Sequence, residues 1–149
     1  MEKVFISQDE IGTGEIARRC AHISKRGDVW ALSGTLGAGK SVFARAFIKE
    51  LTNASDVPSP TFTLVQMYDA GAYDVFHYDL YRLENPSEIF ELNVEEAFFN
   101  AVNLVEWPEK MGSFAPRDMW RVNIGIEGNT RKITIIAPTD EKIKRLQDV

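Results

Sequence analysis

The residues best equipped for chemistry lie together in Gly34-Thr35-Leu36-Gly37-Ala38-Gly39-Lys40-Ser41, which matches the pattern G-x-x-x-x-G-K-[ST] at every fixed position. Glycines at 34, 37 and 39 let the backbone turn tightly and aim N–H groups at phosphate oxygens, where a side chain would block the approach. Lys40 supplies a cation suited to β- and γ-phosphates, and Ser41 a hydroxyl suited to Mg²⁺. The phosphate ligand needs a strand before this loop and a helix after it, because the helix N-terminus also favours anions. Both are legible. Val29 to Ser33 reads as a short buried strand, and Val42 to Leu51 sets Phe43, Phe47 and Leu51 at helical spacing.

Two acidic positions complement the loop. Ala101 to Val105 is a second buried-strand candidate that delivers Glu106-Trp107-Pro108-Glu109 at its carboxyl end, as a Walker B strand does. Glu106 is placed to meet the shell of a Mg²⁺ ion or to orient water. His77-Tyr78-Asp79-Leu80-Tyr81-Arg82-Leu83 concentrates an acid, a base and a cation at another strand end, where open α/β sheets bind ligands. On residue types alone Asp79 and Arg82 are equally an ordinary surface pair. Trp107 is either a core residue or a neighbour of the nucleotide site. Thr52 to Pro60, polar and carrying Pro58 and Pro60, is either a plain linker or a positioned loop able to respond to a γ-phosphate.

The elements that must position these groups follow from periodicity. Lys3 to Ser7 reads as an edge strand, and Ser7-x-x-Glu10 as a capping box opening a helix over Asp9 to Lys25 that Gly27 ends. That helix turns Ile11, Ile16, Ala17, Cys20 and Ile23 to the core, with Cys20 a small apolar residue and His22 exposed. Thr63 to Tyr68 and Tyr73 to Tyr78 form a hairpin across Asp69-Ala70-Gly71-Ala72, so the sheet is mixed. Glu88 to Leu92 and Val94 to Phe99 read as one broken or two short helices with acids facing water. Met119 to Ile126 and Lys132 to Ala137 form a second hairpin, and Thr139 to Gln147 a short charged helix.

With 149 residues and 44% apolar content, the chain reads as one α/β domain over residues 1–149 with a proper core. A net charge of −5 argues against a protein that grips nucleic acid by itself, because such affinity comes mostly from Lys and Arg neutralising phosphates. There is no basic segment followed by a long apolar core and no apolar run of membrane-spanning length, so a cytoplasmic protein without a membrane partner is expected. A single cysteine excludes an intrachain disulfide, and only two histidines accompany it, so any metal is held by oxygen.

Taken together, Gly34 to Ser41, Ser59-Pro60-Thr61-Phe62-Thr63-Leu64-Val65, His77 to Leu83 and Glu106 to Glu109 resemble the TsaE (YjeE) family. These are small bacterial P-loop ATPases of tRNA threonylcarbamoyladenosine synthesis. The blocks occur in the family's order, and the resemblance covers essentially the whole chain. It implies a P-loop NTPase-like three-layer α/β fold with a mixed, partly antiparallel central sheet and flanking helices. It also implies binding and hydrolysis of ATP with Mg²⁺, and action on a TsaB–TsaD heterodimer through which tRNA is reached indirectly. By the same resemblance Leu36, Gly37, Ala38, Gly39, Lys40 and Ser41 would cradle the phosphates, Ser41 and Glu106 would hold Mg²⁺, and Asp79 would sit near metal or water. Thr61 would sense the γ-phosphate, Trp107 would border the nucleotide, and Glu10 and Thr13 would lie towards the base. Thr35, Ser41 and Asn93 depart from the family's usual Asp, Thr and Gly. Two other readings stay open: a P-loop kinase for a small metabolite with Asp79 as acceptor base, and a nucleotide-gated assembly factor in which ATP orders Ser59 to Thr63.

Overall fold

The computed structural model describes residues 1–149. In chain order the elements are β1 (Glu2–Ser7), α1 (Glu10–His22), β2 (Val29–Gly34), α2 (Lys40–Leu51), β3 (Val65–Asp69), β4 (Asp74–Asp79), α3 (Val94–Asn100), β5 (Val102–Glu106), β6 (Trp120–Glu127), β7 (Thr130–Ile136) and α4 (Asp140–Leu146). Two 3-10 segments, Pro86–Leu92 and Pro108–Phe114, precede α3 and follow β5. The seven strands form one sheet in the order β1-β7-β6-β2-β5-β4-β3. Strands β6, β2, β5 and β4 run parallel to one another, whereas β7 is antiparallel to β1 and β6, and β3 to β4. The mixed sheet and both hairpins expected from the alternation are present.

Side chains alternate across β2 and so divide the interior. Trp30 and Leu32 point to one face, where Ile16, Ala17 and Cys20 of α1 and Phe43, Ala44 and Phe47 of α2 cover them. Val29 and Ala31 point to the other, under Ile89, Val94, Ala97 and Met111 from α3 and the 3-10 segments. The second covering layer lies over β2, β5 and β4. The β6 strand instead alternates buried and exposed, so the three layers span only part of the sheet. Trp30 stacks on Trp120 of β6 with ring centroids 4.5 Å apart, locking the loop-bearing strand to its neighbour and contributing about 1 kcal/mol beyond burial.

Local departures from the sequence reading have simple causes. The cap of α1 is Asp9, whose carboxylate accepts from Gly12 N–H, so the Ser7–Glu10 capping box does not form. Ser7 Oγ instead donates to Asp9 O at 2.7 Å and pairs with Thr13 Oγ1 at 2.8 Å. The helix ends at His22, and Gly27 serves the following turn at φ 94. Ile11 is 75% exposed, not in the core, because at 3.6 residues per turn it lies about 150° from the Ile16–Ala17–Cys20–Ala21 stripe. Strand β3 begins at Val65, since Leu64 adopts φ 70 and breaks the extended run. Asn93 takes the left-handed conformation open to it, φ 62 and ψ 28, at the junction into α3.

Candidate functional site

The glycine loop leaves the carboxyl end of β2, beside the ends of β5 and β4. In that register Leu32 lies opposite Glu106, and Glu106 opposite Asp79. The loop starts at Gly34, where an added Cβ would lie 2.6 Å from the Ile124 carbonyl oxygen of β6, so only glycine allows this approach. Gly39 at φ 114 turns the chain into α2, whose first residue is Lys40. Arg131 of β7 donates from Nε to the Ala38 carbonyl at 3.0 Å and ties the loop from behind.

Across a cleft of about 570 Å³ this loop faces two carboxylates. Glu10, Leu36, Gly37, Gly39, Lys40, Ser41, Thr61, Asp79, Glu106 and Trp107 all line the cleft, together with Ser59 and Tyr81. Of the residues that the resemblance assigns to nucleotide or metal, Thr13 and Ala38 alone are not on its wall. They line a separate pocket of about 150 Å³ behind the loop, which Glu10, Gly37 and Gly39 also border. Leu36 is 86% exposed at the rim.

Asp79 and Glu106 are both buried, and neither meets a Lys or Arg. Asp79 Oδ2 accepts from Thr61 Oγ1 at 2.9 Å and Oδ1 from the Tyr81 N–H at 3.0 Å. The alternative surface pair with Arg82 is not formed, because Arg82 sits over the Phe62 ring at 5.0 Å. Glu106 Oε2 is bonded to His77 Nε2 at 2.7 Å. Lys40 is also buried without a carboxylate partner, its Nζ 3.8 Å from the centre of the Trp107 ring. Trp107 reaches it from a left-handed backbone, φ 59 and ψ 51, and leans on Tyr81 with ring centroids 5.0 Å apart. Left-handed geometry at a bulky residue is strained and persists where the surroundings fix it.

Thr61 sits in an ordered loop. Its hydroxyl bonds Ser59 Oγ at 2.7 Å, and Leu64 O accepts from Asp79 N at 2.9 Å, so Ser59 to Leu64 is pinned to the end of β4. His77, noted in the sequence as the base at this strand end but given no role of its own, proves to touch a site carboxylate. The signal was its spacing of two from Asp79, which places both on one face of a strand.

The donor set suits one kind of cation. Ser41, Asp79 and Glu106 offer only oxygen, and no three His, Cys, Asp or Glu side chains gather to hold a metal by themselves. Mg²⁺ is commonly held by one or two carboxylates together with water and substrate phosphates. A buried lysine without a carboxylate partner and two buried carboxylates without a Lys or Arg partner are complementary to a metal–phosphate ligand.

The family model described as threonylcarbamoyl adenosine biosynthesis protein TsaE matches residues 7–133. The chain is 36% identical over 140 residues to a Rickettsia felis tRNA threonylcarbamoyladenosine biosynthesis protein TsaE, covering 93% of this chain and 82% of that protein. Identity to the Bacillus subtilis protein of the same name is 38% over 127 residues, covering 84% and 79%. The crystal structure of Bacillus subtilis YdiB superposes with a TM-score of 0.81 at 26% identity, over 99% of this chain and 93% of that one.

Proposed function

The chain belongs to the TsaE family, and from that premise we propose that it binds ATP with Mg²⁺ and hydrolyses it in support of tRNA threonylcarbamoyladenosine synthesis on a TsaB–TsaD heterodimer. The observation that carries the reading is the single cleft in which the Gly34–Ser41 loop, with Lys40 and Ser41, faces Asp79 and Glu106. In this reading the loop N–H groups and Lys40 hold the phosphates. Ser41 and Glu106 hold Mg²⁺, which offsets phosphate charge when bound. Asp79, kept in place by Thr61 and the Tyr81 N–H, orients the attacking water. Trp107 borders the nucleotide. Thr61 joins the exposed Ser59 loop to Asp79, a connection through which loss of a γ-phosphate reaches the surface.

Turnover by the chain alone is slow in this reading. An arginine directed at the transferring phosphoryl group contributes about 10³- to 10⁵-fold, and Arg82 rests on Phe62 away from the cleft. The partner either supplies the missing group or swings Arg82 inward.

The test is phosphate release from ATP with Mg²⁺ by the wild type and Glu106→Ala, each alone and with TsaB–TsaD and tRNA. Partner-stimulated turnover that the substitution abolishes is expected. Equal turnover with and without partners refutes the coupling, and full activity in Glu106→Ala refutes the site. A Glu106→Ala protein that binds ATP, does not cleave it and still supports modification makes the chain a nucleotide-gated assembly factor instead.

A further inference from the structure

His77 lies on β4 two residues before Asp79 and is only 2% exposed. It does not line the cleft, yet its Nε2 meets Glu106 Oε2 at 2.7 Å across the β4–β5 ladder. Its other nitrogen, Nδ1, is buried without any hydrogen-bond partner. An N–H sealed away from every acceptor is costlier than an unused lone pair, so the pattern selects the tautomer with its proton on Nε2. That proton is donated to one oxygen of Glu106. The second oxygen, Oε1, has no protein partner and is not among the sealed atoms, and the side chain borders the cleft.

We propose that His77 is the positioning residue of the site: it clamps Glu106 Oε2 and thereby fixes the direction in which Oε1 faces the metal–nucleotide ligand. The inference rests on the reading of Glu106 as a metal-side carboxylate. Without the clamp, Glu106 would be a glutamate with free rotation about its last bond and no cationic partner to fix it. An ordinary core histidine would be a packing residue whose loss lowers stability. A clamp has a different signature, because its loss is felt only through Glu106.

The experiment has two arms. In the first, imidazole nitrogen NMR is recorded on the full chain without nucleotide; it holds only His22 and His77, so a His22→Asn variant assigns the signals. The Nε2-protonated form is expected for His77, giving way to a different tautomer balance in Glu106→Ala. An identical His77 signal in both proteins overturns the pairing.

In the second arm, His77→Leu and His77→Gln are compared for the Mg²⁺ dependence of fluorescent ATP-analogue binding, for turnover with TsaB–TsaD and tRNA, and for thermal midpoint. Partners that orient metal ligands are worth about 10- to 100-fold, so His77→Leu loses that factor in kcat and in the Mg²⁺ enhancement of binding. Metal-free binding stays near wild type. His77→Gln keeps a donor and recovers most of the loss, and His77→Leu adds nothing in a Glu106→Ala background. Equal losses in Leu and Gln variants, or losses that add to Glu106→Ala, overturn the clamp. A wild type that neither binds nor cleaves ATP removes the proposed function but leaves the NMR result standing, so the two failures are separable.

Discussion

Replacing Lys40 by Met removes a charge while keeping most of a buried side chain's volume. Lys40 is 7% exposed, and its ammonium rests on the Trp107 ring at 3.8 Å. In the unliganded protein two effects oppose: the cation–π contact is worth about 0.5–2 kcal/mol, and keeping an unpaired ammonium out of water costs a comparable amount. Unliganded stability therefore changes by no more than about 1 kcal/mol. Binding is another matter, because a hydrogen bond to a charged group contributes about 1.5–3 kcal/mol, or roughly 10- to 150-fold in Kd. At ligand near 100 times the wild-type Kd, nucleotide stabilises the wild type by about 2.7 kcal/mol and the variant by less than about 1.4. A domain of this size shifts by about 2–4 °C per kcal/mol, so the nucleotide-induced rise in midpoint shrinks by about 3–10 °C. Thermal melts with and without ATP and Mg²⁺, paired with a fluorescent-nucleotide titration, read both quantities. An unchanged affinity together with an unchanged ligand-induced shift refutes the assignment of Lys40 to the phosphates.

Other expectations test separate parts of the molecule. Thr61→Val removes the hydroxyl that donates to Asp79 at 2.9 Å, and turnover should fall by roughly tenfold while ATP affinity holds, with Thr61→Ser restoring it. Arg145 grips Asp28 through contacts of 2.6 and 3.0 Å, and Arg145→Met should cost about 3 kcal/mol in urea unfolding by leaving that carboxylate buried and unpaired. The hydrogen bond from Arg145 also holds the Glu141 carboxyl below the usual range, so its contribution is present at neutral pH and is lost as pH falls through that lowered value. Glu141 is largely exposed, so this acid-side loss is small, and it should vanish in Arg145→Met when urea midpoints are followed from pH 7 to below pH 4. Burial pushes the Cys20 thiol well up, and a thiol reagent at neutral pH should label it only as fast as the chain unfolds; prompt labelling of the native protein would contradict the packing.

The loop, the strand before it and the helix after it were legible because their signals are local: fixed glycines, a four-residue apolar run and a helical repeat. Glu106 was legible for the same reason, as the polar end of an apolar strand. What stayed hidden depends on pairs far apart in the chain. His77 and Glu106 meet only because β4 and β5 are adjacent and in a register that aligns Asp79 with Glu106. The choice between a surface pair and a ligand-facing carboxylate at Asp79 was likewise a question of what approaches from elsewhere, and Thr61 is what approaches. The Ser7 cap failed because Asp9, equally good by type, sits closer to the first turn, while Ser7 found Thr13. Ile11 was misplaced by counting apolar residues without weighing their angle against the small-residue stripe of α1. Nothing in composition indicated that Trp107 would take a left-handed backbone and cover Lys40.

The placement of β6 between β2 and β7 bears on how the protein is made. The loop is encoded early, yet the carbonyl against which Gly34 rests belongs to Ile124, and the side chain that tethers Ala38 belongs to Arg131. A ribosome that has already released the loop, α2 and β5 has therefore produced a strand with one open flank, the kind of edge that pairs with strangers. Only when the second hairpin emerges does β2 gain its remaining neighbour and the loop its support. Interrupted or prematurely stopped chains thus carry the motif without its scaffold, and they are candidates for clearance and not for service.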